Sequence, residues 1–369
     1  MPEAVSEPAA RLLAAIRHSA RIVLINLSVL LTLLAPIELI FGGWFGGPGD
    51  ITLLNVRPNT LDVQPSPLYP PAARITYSRD RYGLRGPERQ PAGIDVLAVG
   101  GSTTNERLLD DSDTWTARLQ TLLRQRGCRL SIANSGIDGY STVAHIASFT
   151  TWFNRIPGLK PRFMLLYVGI NDAELPPGSL TPADSQKFAT PYRRFEHYVA
   201  AHSALRGLYV TLRGMWRARQ ARLEHGAMPI PADPVWEAAT LPADLAAEIA
   251  AKTAAYRERL ETLNRLVREF GARPVYITQS RVDGRLNDGA WQQIAGSDGA
   301  RRTATLAAFN RVTLDLCHER GETCIDLAAG LAFARDDFYD AVHTTRGGAA
   351  RIADFLAGAL EPLLCRSAG

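Results

Sequence analysis

A serine stands directly after a short apolar run and two glycines in Asp95-Val-Leu-Ala-Val-Gly-Gly-Ser-Thr-Thr104. The run has the length and branching of a buried strand, and Gly100 and Gly101 allow a sharp turn at its carboxyl end. In an open α/β sheet that edge is where ligands bind, which makes the Ser102 hydroxyl a candidate nucleophile. Strand-Gly-Gly-Ser turns also occur as plain turns, and a helix N-terminus here also suits a phosphate. The phosphate reading is weakened because no lysine follows and the P-loop spacing is absent. Nucleophilic chemistry needs three further things: a base, a group that orients the base, and donors for a developing oxyanion.

Each has a candidate. In Asp336-Asp-Phe-Tyr-Asp-Ala-Val-His343, Asp340 and His343 are three residues apart, just before the last helical segment. That spacing lets the carboxylate hold one imidazole nitrogen while the other faces the serine; it equally suits a surface pair capping the helix. Val168-Gly-Ile-Asn-Asp172 ends an apolar run with a polar step. Asn171 is there either an oxyanion donor through its amide or a turn residue. In Asn134-Ser-Gly-Ile-Asp-Gly-Tyr-Ser-Thr142, Gly136 and Gly139 expose backbone N–H groups, with Gly139 the better placed, although turn-making explains both. The chain has no Cys-x-x-Cys and no His-Glu-x-x-His, so no metal site or cofactor is expected.

The elements that must position these residues alternate. Apolar, partly β-branched runs lie at Ile94–Val99, Leu130–Ala133, Phe163–Val168, Pro274–Thr278 and Thr323–Leu327. Helical periodicity falls at Thr114–Arg126, Thr142–Phe153, Leu245–Phe270, Arg302–Glu319 and Gly347–Leu364. This alternation predicts an α/β fold with a parallel sheet of about five strands and helices on both faces. Residues 174–240 are too long for an ordinary connection and predict a helical insert. Within it, Leu205, Leu208, Tyr209, Leu212, Trp216 and Leu223 recur at helical spacing among arginines, which suits packing on the domain or contact with anionic lipid.

Ahead of the domain, residues 1–21 form a short polar-to-amphipathic N-terminus carrying Arg11, Arg17 and Arg21. Ile22–Phe41 is apolar for the length a helix needs to cross a bilayer, and the segment 22–45 is expected to be an uncleaved anchor. Asn26, Pro36 and Glu38 keep a buried core helix in play. With arginines before the span, the positive-inside rule leaves the N-terminus in the cytoplasm and the remainder outside. Residues 46–93, rich in glycine and proline, are expected to be a linker lying along the domain 94–369. A net charge of +4, with 41 Lys and Arg scattered along the chain, argues against a nucleic-acid surface. Outside the cytoplasm, Cys317 and Cys324 are candidates for a disulfide across a helix-to-strand turn.

Taken as an ordered set, Gly-Gly-Ser after strand one, Gly after strand two, Gly-x-Asn-Asp after strand three and Asp-x-x-His before the last helix resemble the SGNH hydrolases, or GDSL-type esterases and lipases. The resemblance covers about Ile94–Leu364 apart from the insert. It implies a three-layer α/β/α sandwich, flavodoxin-like, with Ser102, Asp340 and His343 as triad and Ser102, Gly139 and Asn171 as oxyanion hole. Asn55-Val-Arg-Pro-Asn-Thr60 and Tyr82-Gly-Leu-Arg-Gly86 look like the preamble of membrane-anchored bacterial members. One departure stands out: Gly101 occupies the position of the family's Asp, so bracing of the nucleophile loop must come from elsewhere. The serine is not in a Gly-x-Ser-x-Gly elbow.

The resemblance implies a serine esterase acting on acyl esters, acetyl above all, of a cell-envelope or exopolysaccharide glycan. The expected location is the bacterial inner membrane, single-pass, with the domain on the periplasmic side. Two alternatives stand beside it: a polysaccharide O-acyltransferase using the same triad, and a non-catalytic glycan-binding or assembly protein with an idle site. The expected partners are the acylated substrate and the membrane, with no nucleic acid.

Overall fold

The computed structural model describes residues 7–41, 44, 56–175, 199, 203–206, 209 and 233–365. The chain divides into two units, Met1–Leu53 with Phe195–Leu223, and Leu54–Arg194 with Glu224–Gly369. In the first unit a single helix, α1, runs from Glu7 to Phe41. Its Ala15–Ile40 stretch has a mean hydropathy of 2.2 and none of it is buried, so it is long and apolar enough for a membrane span or a signal sequence. Glu38, an odd residue for such a helix, accepts hydrogen bonds from Trp44 Nε1 (3.1 Å), Ala204 N (2.9 Å) and Leu205 N (3.2 Å). The helical stripe expected at Leu208, Leu212, Trp216 and Leu223 lies outside the described residues.

The second unit begins with an antiparallel hairpin, β1 (Thr60–Pro65) and β2 (Arg74–Arg79), where a linker was expected. The central strands follow: β3 (Val96–Gly100), β4 (Ile132–Asn134) and β5 (Phe163–Tyr167). A short strand β6 (Trp236–Ala238) falls inside the segment expected to be helical, and β7 (Arg273–Ile277) returns to the main sheet. A second hairpin, β8 (Gly284–Asn287) and β9 (Ala290–Ile294), pairs with β6 in a separate antiparallel sheet, before β10 (Thr323–Ile325) completes the first. The main sheet has the order β10-β7-β5-β3-β4, all parallel. By position in the sheet this is the doubly wound order 2-1-3-4-5, whose direction reverses between β3 and β5.

Strands β3, β4 and β5 are buried at every position, as expected for a parallel sheet covered on both faces. One face carries the helix Trp115–Gln125 against the last helix, Arg346–Leu364. Val96, Ala98, Leu165 and Val275 pack there with Trp115, Leu119, Ile352 and Leu356. Elsewhere in the unit Thr142–Thr151 and Gly299–Glu319 both pack on Leu245–Glu269. The Thr114 hydroxyl, accepting from Ala117 N, caps the helix Trp115–Gln125, and Thr345, accepting from Gly348 N, caps the last helix two residues after His343.

Two disulfides tie the unit. Cys317 and Cys324 are bonded across the helix-to-strand turn, with Cα atoms 5.9 Å apart. Cys128 and Cys365 are also bonded, Cα to Cα 5.4 Å, joining the approach to β4 to the end of the last helix. The second bridge spans 237 residues and has no signature in the spacing of the cysteines.

Candidate active site

The reversal point of the sheet collects the candidate residues. After β3, Gly101 caps a four-residue helix, Ser102–Asn105, so Ser102 opens that turn at the carboxyl edge. Both glycines are required by close approach. A Cβ on Gly100 would lie 2.1 Å from Thr104 Oγ1 and 2.8 Å from the Tyr167 carbonyl. A Cβ on Gly101 would lie 2.3 Å from Asn171 Nδ2. The glycine where the resembled family carries Asp thus makes room for the asparagine after β5.

Ser102 Oγ is 2.7 Å from His343 Nε2, and His343 Nδ1 is 2.6 Å from Asp340 Oδ2. With an ionised Asp340 accepting from Nδ1–H, Nε2 is left as the acceptor for the serine proton. Asp340 is buried, which by itself raises its pKa. The bond and charge of His343, with the backbone N–H groups of Val342 (2.8 Å) and His343 (2.7 Å) on Oδ1, outweigh that and hold the carboxyl below the usual range. Tyr339 stacks on the imidazole, rings 13° from parallel and centroids 5.7 Å apart.

Asn171 follows Gly169, whose φ of 124° favours glycine. The Asn171 amide donates to the Tyr140 carbonyl at 2.8 Å, which fixes its orientation and leaves its second N–H available. Gly139 sits at φ 76° in the turn that ends at Tyr140, with open space on its Cβ side. Gly136 serves packing instead, since a Cβ there would lie 2.4 Å from Asn105 N. Asp172 is turned inward, pairing with buried Arg259 (3.1 Å) and accepting from Thr142 N (2.9 Å), so it bolts the asparagine loop to two helices.

Bracing of the serine turn comes from residues that sequence reasoning missed. Glu106, which ends the turn at φ 48°, accepts from Trp115 N and from Thr344 Oγ1, both at 2.7 Å, and so links the serine and histidine loops. Burial pushes its carboxyl up to about 8 against the two hydrogen bonds. Gln279 accepts from Ile170 N (2.7 Å) and donates to Thr103 Oγ1 (2.9 Å), joining the serine and asparagine loops.

From the preamble come two buried arginines. Arg79 donates to Asn105 Oδ1 and to the Gly136 carbonyl, each at 2.7 Å. Arg85 donates to the carbonyls of Asn105 (3.1 Å) and Leu109 (2.8 Å), pairs with Asp111 and lies 4.1 Å over the Tyr77 ring. Its own backbone N–H bonds to the Asn134 carbonyl at 2.8 Å, fastening the preamble to the edge strand β4. The Tyr82-Gly-Leu-Arg-Gly86 cluster was visible as part of a preamble, but nothing in it marks Arg85 as a clamp. Among the described residues no group of three or more His, Cys, Asp or Glu side chains is arranged to hold a metal.

Fold and site together define an α/β protein with a Ser–His–Asp chain at the reversal point of a parallel sheet. Residues 98–278 match the model of the GDSL-like lipase/acylhydrolase family, and this segment belongs to that family. The matched segment contains Ser102, Gly139 and Asn171; Asp340 and His343 lie beyond it. No curated protein matches the chain. Among solved structures, TesA is 16% identical, with a TM-score of 0.42 over 73% of this chain and 99% of its own. The acetyl xylan esterase AlAXEase is 11% identical, with a TM-score of 0.42 over 72% of this chain and 100% of its own. A catalytic mutant of Axe2, an acetylxylan esterase from Geobacillus stearothermophilus, is 14% identical, with a TM-score of 0.40 over 73% of this chain and 94% of its own.

Proposed function

We propose that the protein is a membrane-anchored serine esterase that removes acyl groups, acetyl above all, from a cell-envelope or exopolysaccharide glycan. The observation that carries this reading is the continuous chain of short contacts Ser102 Oγ–His343 Nε2–Nδ1–Asp340 Oδ2, at 2.7 and 2.6 Å. Ser102 Oγ attacks the ester carbonyl carbon as His343 Nε2 takes its proton. Asp340, kept ionised, stabilises the imidazolium and its orientation. The tetrahedral oxyanion is received by the N–H groups of Ser102 and Gly139 and by the free N–H of Asn171, oriented by Tyr140. As the tetrahedral intermediate collapses, the bond from the carbonyl carbon to the sugar oxygen breaks and His343 gives its proton to that oxygen, which departs as a hydroxyl and leaves an acyl-serine. Water attacks that ester with His343 again as base, releasing the carboxylic acid and restoring Ser102.

The setting supports an extracytoplasmic site. The N-terminal helix is apolar from Ile22 onward with Arg11, Arg17 and Arg21 before that run, and two disulfides suit an oxidising compartment. On this reading 1–21 is cytoplasmic, 22–45 is the single inner-membrane anchor, and 94–369 is the periplasmic domain with 46–93 as the preamble that leads into it. Intact-mass analysis of the full chain, quenched during p-nitrophenyl acetate turnover, tests the intermediate. The expected result is one added acetyl group, mapped to Ser102. Turnover with no acyl adduct under any quench, or an adduct on another residue, overturns the mechanism. Acyl transfer to an added glycan that outpaces hydrolysis would change the assignment to an O-acyltransferase.

A further inference from the structure

Beside the serine turn lies a second concavity, a cleft of about 100 Å³ between the inner face of the preamble hairpin and the loop after β4. Arg79, Asn105 and Ile137 are buried in its wall, while Arg57 and Arg107 stand exposed at its rim and Asp62 and Asp138 are half-buried. Its position relative to the site is fixed by two of these residues. Asn105 is three residues beyond Ser102 on the same turn, a rise of about 4.5 Å, and Asp138 immediately precedes Gly139. Asn105 Nδ2 donates to Asp138 Oδ1 at 2.7 Å, so the two loops meet at the boundary between cleft and site.

The lining selects a ligand class. Three arginines and two aspartates surround the space, with Ile137 as its one aliphatic side chain, which is unsuited to an acyl chain and leaves an excess of positive charge. Arg79 is committed to Tyr77, Gly83, Asn105 and Gly136. Among the described residues neither the Arg57 nor the Arg107 guanidinium is paired with a carboxylate, and such planar forks match a carboxylate in bidentate fashion. Asp62 and the second oxygen of Asp138 are acceptors for neighbouring hydroxyls. A carboxylate flanked by hydroxyls on a ring is the chemistry of an acidic sugar.

We propose that this cleft is a subsite for a carboxylate-bearing sugar residue of the glycan, next to the residue whose ester faces Ser102. The inference rests on the glycan-esterase reading, and a binding measurement separates its failure from that of the esterase reading. The full chain carrying Ser102→Ala, in detergent, is titrated calorimetrically with trigalacturonate and with neutral xylotriose. The expected result is at least about 10-fold tighter binding of the acidic trimer, one charged pair's worth, with the preference lost in the added double variant Arg57→Ala/Arg107→Ala. The corresponding Lys/Lys variant, which keeps charge and loses the fork, is expected to recover part of it. Equal binding of the two trimers, or a preference that survives the Ala/Ala substitution, overturns the subsite. Absence of p-nitrophenyl acetate turnover by the wild type would instead count against the esterase reading.

Discussion

Ser102 is held from two sides by regions of different make-up. On the sheet side, Gly100 and Gly101 leave room for Thr104 and for Asn171, and His343, held by Asp340, meets the Ser102 hydroxyl through Nε2. On the preamble side, Arg79 reaches the same turn at Asn105 Oδ1 and Arg85 reaches it at the Asn105 carbonyl, and both hold neighbouring backbone carbonyls at Gly83, Gly136 and Leu109. One region supplies reacting and polarising groups; the other supplies rigidity. A nucleophile loop lacking the family's Asp is thereby braced by buried cations from a segment outside the strand–helix alternation. Each buried carbonyl so satisfied would otherwise cost about 1–3 kcal/mol.

The two regions should fail differently. Asn171→Ala is expected to lower kcat by about 100-fold or more while leaving thermal stability close to wild type, because the amide's role lies in the transition state. Steady-state kinetics with a melting curve checks this, and a loss of only a few-fold would move Asn171 to the structural side. Arg85→Ala should show the reverse emphasis. It leaves Asp111 with its Ser78 hydrogen bonds but without its cationic partner, and two carbonyls without the Arg85 donors, and should cost about 3–5 kcal/mol of stability, with a smaller fall in kcat at temperatures where the variant is folded. Denaturant titration beside kinetics decides it; a stable variant with wild-type cooperativity would remove the preamble from the bracing role.

The smallest effect on activity belongs to Glu106→Gln, which bridges the serine and histidine loops. The Glu106 carboxyl is raised in the folded protein from 4.5 to about 8, so as pH rises from the lower value to the higher the unfolded chain has lost its proton and the folded chain keeps it. This group's contribution to stability is therefore fullest below the lower value and declines until the pH passes the higher one. The wild-type Tm should fall relative to that of Glu106→Gln across that window. Parallel Tm–pH curves would show that Glu106 is ionised throughout.

The legibility of the fold follows the same division. Phe163–Tyr167 was visible because a parallel strand covered on both faces must be apolar throughout, and the alternation with helices gave the sheet. The β1–β2 hairpin was hidden by an inverted pattern. Leu61 and Val63 are 69% and 52% exposed while Asp62 and Gln64 turn inward, so alternation pointed at no core. The β8–β9 hairpin carries a turn signal at Asp288-Gly289, both at positive φ, but its flanks are polar and gave no strand run. The candidate site was readable because its reacting groups need particular side chains at strand ends. Arg79 and Arg85 were not, because the carbonyls they bind can be offered by any residue. Cys128–Cys365 was equally silent, since a bridge between distant segments depends on the fold alone.

If Ser102 is the nucleophile of an ester-hydrolysing site, p-nitrophenyl acetate hydrolysis by the full chain in detergent separates the wild type from Ser102→Ala of matched fold. The expected result is hydrolysis by the wild type and a loss of at least about 1,000-fold in the variant. Hydrolysis that persists in Ser102→Ala, or a folded wild type that neither hydrolyses the ester nor transfers its acyl group, would contradict it.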